Sequence, residues 1–177
     1  MKLTFKPLEK KDYKKAIYFA VEGMNFERYM ENELLLNLYG RYFLYMELNR
    51  ATQILALYAE DELAGVLLAE IKGEKKKHRS FGQQMLAAYL KKHSPDGEII
   101  FLAANPDLKT KGIGTKLLTE FEKREKGKEI FLFTDSGCTY QFYERRGFER
   151  LKEKISKIKI LDKEIDLRCM LYRKIIQ

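Results

Sequence analysis

Glu98-Ile99-Ile100-Phe101-Leu102-Ala103-Ala104-Asn105-Pro106-Asp107-Leu108-Lys109-Thr110-Lys111-Gly112-Ile113-Gly114-Thr115-Lys116-Leu117-Leu118 is the stretch on which the fold turns. Residues 98–104 make a continuous apolar run, the pattern of a central strand buried on both faces. Pro106 pushes Asn105 into extended geometry, so no helix reaches back into that strand. From Gly112 onward Ile113, Leu117, Leu118 and Phe121 share one face, while Lys116, Glu120, Glu122 and Lys123 lie away from it. That spacing is an amphipathic helix packed on a sheet. Strand, proline turn and Gly-x-Gly helix entry bring free backbone N–H groups and the positive end of a helix dipole to one spot, where an anion is stabilised.

Gly112 and Gly114 let the backbone approach a ligand closely and take positive φ where needed. Lys109, Lys111 and Lys116 add charge around a pyrophosphate, and Thr115 adds a hydroxyl donor. Glycines also stand at helix starts only to permit a turn, and that is the plainer alternative. Two other phosphate motifs fail on detail. A nucleotide P-loop needs Gly-Lys-Ser/Thr, whereas Thr115 precedes Lys116, and a dinucleotide fingerprint needs a third glycine where Leu117 stands.

Upstream of this stretch lies an opening strand, residues 3–6, then a helical spacing over 9–24. Residues 26–46 read as a second helix, or as one broken near Gly40. Residues 53–60 and 63–71 read as two strands joined at Asp61-Glu62, a hairpin. Residues 73–96 are an insertion with a short helix over about 81–92, closed by Ser94-Pro95-Asp96-Gly97. Downstream come a buried strand over 129–134, a short helix over 140–146 stopped by Gly147, and two closing strands, 148–158 and 159–172. The order predicts one α/β domain over residues 1–177, a mixed sheet with helices on its faces.

The 177 residues, 45% of them hydrophobic, suffice for one buried core. No apolar run is long enough for a membrane span and the first residues lack a secretory signal, so a soluble cytoplasmic protein is expected. Cys138 and Cys169 lack neighbours at ligand spacing, so neither a disulfide framework nor a metal site is expected. A net charge of +8 suits an anionic partner. The basic run over 72–79 could grip nucleic acid, but a Gly and a Glu interrupt it and no aromatic is interleaved, which favours a solvated loop.

The stretch over 102–118 resembles the GNAT superfamily of acyl-CoA-dependent N-acyltransferases, whose pattern is Gln/Arg-x-x-Gly-x-Gly/Ala after a strand. Lys109 occupies the Gln/Arg position, keeping the charge without the planar fork. Phe142-Tyr143-Glu144-Arg145-Arg146-Gly147-Phe148 is similar to the Phe-Tyr-x-x-x-Gly-Phe segment that closes the same site in many members. The resemblance implies a mostly antiparallel sheet whose middle strands, 99–104 and 130–134, splay around the pantetheine arm of acetyl-CoA. Leu102, Ala103 and Ala104 would line that arm, and Lys109, Thr110, Lys111, Gly112, Ile113, Gly114 and Thr115 would hold the pyrophosphate. Ser136 stands where many members carry an Asn that contacts the coenzyme.

Direct acetyl transfer to a primary amine needs an oxyanion donor, which a backbone N–H over 102–104 could supply. It also needs a proton for the departing thiolate, for which Tyr143 stands at the family's tyrosine position, with Tyr140 as fallback. Glu70 and Asp135 are candidate water-relayed bases, and Cys138, with no adjacent His, reads as packing. The acceptor, a small molecule or a peptide, is unmarked by any motif. The insertion over 73–96 either shapes its pocket or mediates self-association into a homodimer. The alternatives are a non-catalytic acyl-CoA-binding module and a basic nucleic-acid-binding protein.

Overall fold

The structure, a computed structural model, describes residues 2–28, 30–72, 93, 95–160 and 163–177. The basic run beyond Lys72, the expected helix over 81–92 and residues 161–162 between the closing strands lie outside these residues. Among the described residues seven strands form one sheet in the order β1-β2-β3-β4-β5-β7-β6: β1 (Leu3–Lys6), β2 (Gln53–Ala59), β3 (Glu62–Ile71), β4 (Gly97–Ala104), β5 (Glu129–Asp135), β6 (Glu149–Ile160) and β7 (Lys163–Ile175). Every neighbouring pair is antiparallel except β4 with β5. The mixed, mostly antiparallel sheet expected from the sequence is thus the one observed. No helix among the described residues is long and apolar enough to cross a membrane.

The helices cover both faces. Helix α1 (Tyr13–Gly23), preceded by a 3-10 turn over Lys10–Asp12, and α2 (Glu33–Arg50) pack Ala16, Phe19, Ala20 and Leu44 against Leu63, Val66, Leu68 and Phe101. On the other face α3 (Ile113–Arg124) sets Ile113, Leu117, Leu118 and Phe121 against Leu67, Ala69, Ile99 and Ile130. This is the apolar face that the period of the sequence marks out. A bulge in β3 opposite Leu57 and Tyr58 resets the alternation there. A Cβ at Gly65 would stand 2.7 Å from Ile113 Cγ2 and 2.9 Å from the Ala103 carbonyl, so glycine is what lets α3 lie this close.

The second helix differs from its reading. It begins only at Glu33, capped by the Asn32 side chain accepting from the Leu35 N–H at 3.1 Å, and runs unbroken through Gly40 to Arg50. Gly40 serves packing rather than interruption, since a Cβ there would come within 2.7 Å of Val21 Cγ2 and 3.2 Å of Ile17 Cγ2.

Candidate functional site

β4 and β5 stay zipped for only three register pairs, Gly97 with Ile130, Glu98 with Phe131 and Ile99 with Leu132. Beyond them each strand pairs only outward, β4 with β3 as far as Ala104 and β5 with β7 as far as Asp135. The inner edges therefore part, and backbone groups that would have met each other face a gap instead. A cavity of about 380 Å³ fills that gap. The splay expected of residues 99–104 and 130–134 is present, and the cavity lies in its fork.

At the face covered by α3 the cavity ends on the glycine turn, with Thr110, Gly112, Ile113 and Gly114 in its wall. Gly112 has φ +83°, the left-handed conformation that lets the chain enter the helix. The first helical hydrogen bond runs from Lys116 N–H to the Gly112 carbonyl at 2.9 Å, so the N–H groups of Ile113, Gly114 and Thr115 lie ahead of the ladder. Gly114 serves close approach: a Cβ there would be 3.2 Å from Phe142 Cε2. The strand's exit is fixed by the buried Asn105, whose Oδ1 accepts from the Asp107 N–H at 3.0 Å while its own N–H donates to the Ala64 carbonyl at 2.7 Å.

Tyr143 enters the wall from α4 (Gln141–Glu144), wedged edge-on between the rings of Phe142 and Phe148 at 5.2 and 5.6 Å. Its hydroxyl has no hydrogen-bond partner among the described residues. Burial pushes its pKa up, so it stays protonated at neutral pH. Cys138 faces the same space, with Sγ 3.8 Å from Met24 Sδ, and burial followed by the Asp135 carboxylate pushes its thiol up to about 11. A thiol held protonated is no nucleophile, which agrees with reading it as packing. On the α1 face Gly23 and Met24 complete the wall.

Of the residues picked out by sequence, the cavity brings together Leu102, Ala103, Ala104, Thr110, Gly112, Ile113, Gly114 and Tyr143. It does not include Lys109, Lys111, Thr115 or Ser136. Both lysines are exposed on the outside of the turn, Thr115 Oγ1 accepts from Arg146 Nη2, and the Ser136 N–H continues the β5–β7 ladder to the Arg168 carbonyl at 2.9 Å. The candidate bases are engaged elsewhere: Glu70 lies 3.7 Å from Arg50, and Asp135 takes Arg28 Nη2 at 3.3 Å and the Gly137 N–H at 2.6 Å. Tyr140 packs against the core, with the Arg150 guanidinium 5.4 Å from its ring centre. Gly23, Met24, Asn105 and Thr134 also line the cavity without having been singled out. Only Asn105, ahead of Pro106 at the strand's end, carried a local signal.

A model of the Acetyltransferase (GNAT) family matches residues 15–148, well over half of the chain. No curated protein matches the sequence. Among solved structures, the PaiA N-acetyltransferase of Thermoplasma acidophilum in complex with coenzyme A superposes with a TM-score of 0.57 at 20% identity, covering 96% of this chain and 98% of that one. The ribosomal-protein-S18-alanine N-acetyltransferase of Escherichia coli gives 0.58 at 15% identity, with 99% and 95% covered. A histone acetyltransferase HPA2 and related acetyltransferase from Corynebacterium glutamicum gives 0.60 at 20%, with 97% and 96% covered.

Proposed function

Because this chain belongs to the GNAT family of acetyltransferases, matched over residues 15–148, we propose that it moves an acetyl group from acetyl-CoA directly to a primary amine within a ternary complex. The observation that carries this reading is the parting of β4 and β5 beyond Ile99 and Leu132, with a cavity in the fork. The open inner edge of residues 100–104 offers strand-like hydrogen bonds to the amides of a pantetheine arm, and the glycine turn offers the ungathered N–H groups of α3 to its pyrophosphate.

In this reading the amine nitrogen attacks the thioester carbonyl carbon, and a backbone N–H of residues 102–104 holds the oxygen as its charge grows. The carbon–sulfur bond then breaks, and the Tyr143 hydroxyl gives its proton to the departing sulfur. Its place in the cavity wall, with no hydrogen-bond partner for the hydroxyl among the described residues, supports that role. The amine proton leaves through water, since Glu70 and Asp135 are each committed to an arginine.

Thiol release measured over a panel of primary amines tests the proposal. Turnover with at least one amine is expected, and Tyr143→Phe should lower it by about a hundredfold or more while acetyl-CoA still binds. A chain that binds acetyl-CoA but releases no thiol with any amine would instead be an acyl-CoA-binding module.

A further inference from the structure

Arg146 reaches from the α4 segment back to the start of α3, alongside the Phe142 ring that packs against Gly114. Its guanidinium lies 3.6 Å from the centre of the Phe142 ring, donates from Nη1 to the Phe142 carbonyl at 2.9 Å and from Nη2 to Thr115 Oγ1. Phe142 lines the cavity, and Thr115 belongs to the first turn of α3. A planar cation is thus held flat on the cavity's aromatic wall, beside the N–H groups that open the helix.

The fold does not neutralise this cation. Among the described residues no carboxylate ion-pairs with Arg146, and Glu122, whose charge reaches it, is paired instead with Lys174 Nζ at 2.7 Å. The Nε–H is enclosed and has no acceptor. Burial, and then the neighbouring Arg145, lower the Arg146 pKa, which are the marks of a site short of negative charge. Lys109 and Lys111 of the turn are exposed and lack the planar fork of a guanidinium.

We propose that Arg146 takes a phosphate oxygen of the coenzyme at the start of α3, supplying from the α4 segment the planar guanidinium that the glycine turn itself lacks. This rests on the coenzyme reading above. The stacking on Phe142 and the two hydrogen bonds fix the guanidinium in advance, so an arriving phosphate meets a prepared donor.

Calorimetric titration of the full chain and of Arg146→Gln with coenzyme A, 3′-dephospho-coenzyme A and pantetheine tests it. For coenzyme A the variant should bind about tenfold to a hundredfold more weakly, with a shallower dependence on salt, while pantetheine binds both proteins alike. If the gap closes with 3′-dephospho-coenzyme A, the contact is to the 3′-phosphate; if it persists there and closes only with pantetheine, the contact is to the pyrophosphate. Equal weakening of all three ligands would overturn the proposal in favour of a purely structural arginine, and so would no weakening at all. Should Arg146→Gln fail to fold, Arg146→Lys carries the same comparison, with part of the affinity kept and the phosphate-dependent gap still present. A wild-type chain that binds none of the three ligands would sink the coenzyme reading itself.

Discussion

The two ends of the β4–β5 pair are built on opposite plans. At the zipped end, where Glu98 faces Phe131 in the register, the carboxylates of Glu47, Glu70 and Glu98 surround the Arg50 guanidinium at 3.0, 3.7 and 3.0 Å. Arg50 is 3% exposed in its side chain and Glu98 6%, so the charges there are spent on one another, out of water. At the open end the strands share no hydrogen bonds, the backbone faces a cavity, and Arg146, which reaches the start of α3 from the α4 segment, has no carboxylate in an ion pair among the described residues. The buried guanidinium is fully paired where the strands hold, whereas the one beside the fork has no carboxylate partner among the described residues. A fork of this kind needs a closed base, because a splay that propagated downward would cost the ladder and flood the core.

The hardest way to break that base is Arg50→Leu. The change strands three acidic side chains with no guanidinium, and removing one partner of a buried ionic group costs about 3–5 kcal/mol. Urea denaturation should register that loss, and a variant as stable as wild type would show that the cluster is dispensable to the base. Gly97→Ala attacks the same end by volume. Its Cβ would stand 2.6 Å from Ile71 Cδ1, a side-chain tip that can yield, and 2.9 Å from the Glu70 carbonyl, which cannot. Overpacking of this kind costs about 1–3 kcal/mol.

Gly112→Ala makes the matching test at the open end. Nothing lies within 4 Å of a Cβ there, but φ is +83°, so the penalty of about 1–2 kcal/mol is conformational. Acetyl-CoA affinity should fall along with stability for Gly112→Ala, because the strained residue shapes the first N–H groups of α3. For Gly97→Ala the stability should fall and the affinity of the folded protein should not. Matching behaviour of the two variants in both measurements would erase the distinction between the ends.

Much of the open end was legible in the sequence because its determinants are local. Gly112 and Gly114 stand at a helix start, and Tyr143 sits in a seven-residue segment with its own signature. The closed end was not legible: Glu47, Arg50, Glu70 and Glu98 come from one helix and two strands, and no local pattern says that the sheet gathers Glu98 and Glu70, read from sequence as a candidate base, around Arg50. Gly40 misled for a related reason. Its low helix propensity suggests a break, yet the packing of α1 onto α2 needs the missing side chain and overrides the local preference. Arg146 lay inside a recognised segment, but its meaning depends on Thr115, 31 residues away.

The smallest effect expected at the closed end concerns protons. Three carboxylates face one guanidinium, and burial raises the pKa of Glu47 above its ordinary 4.5 against the pull of Arg50, with Glu98 and Glu70 adding to the rise and Tyr39 close enough to feel its charge. The folded chain therefore keeps this proton at a pH where the unfolded chain has lost it. The resulting stability is fully present below the unfolded pKa and declines as pH rises through the folded one. Glu47→Gln keeps the shape and a hydrogen-bonding side chain but cannot titrate. Its unfolding free energy should fall less than that of wild type between the acid range and neutrality, and at pH 7 the two should differ by no more than about 1 kcal/mol, the worth of one hydrogen bond. Parallel stability profiles for the two proteins would mean that Glu47 is charged throughout and that the closed end carries its full excess of negative charge without a proton.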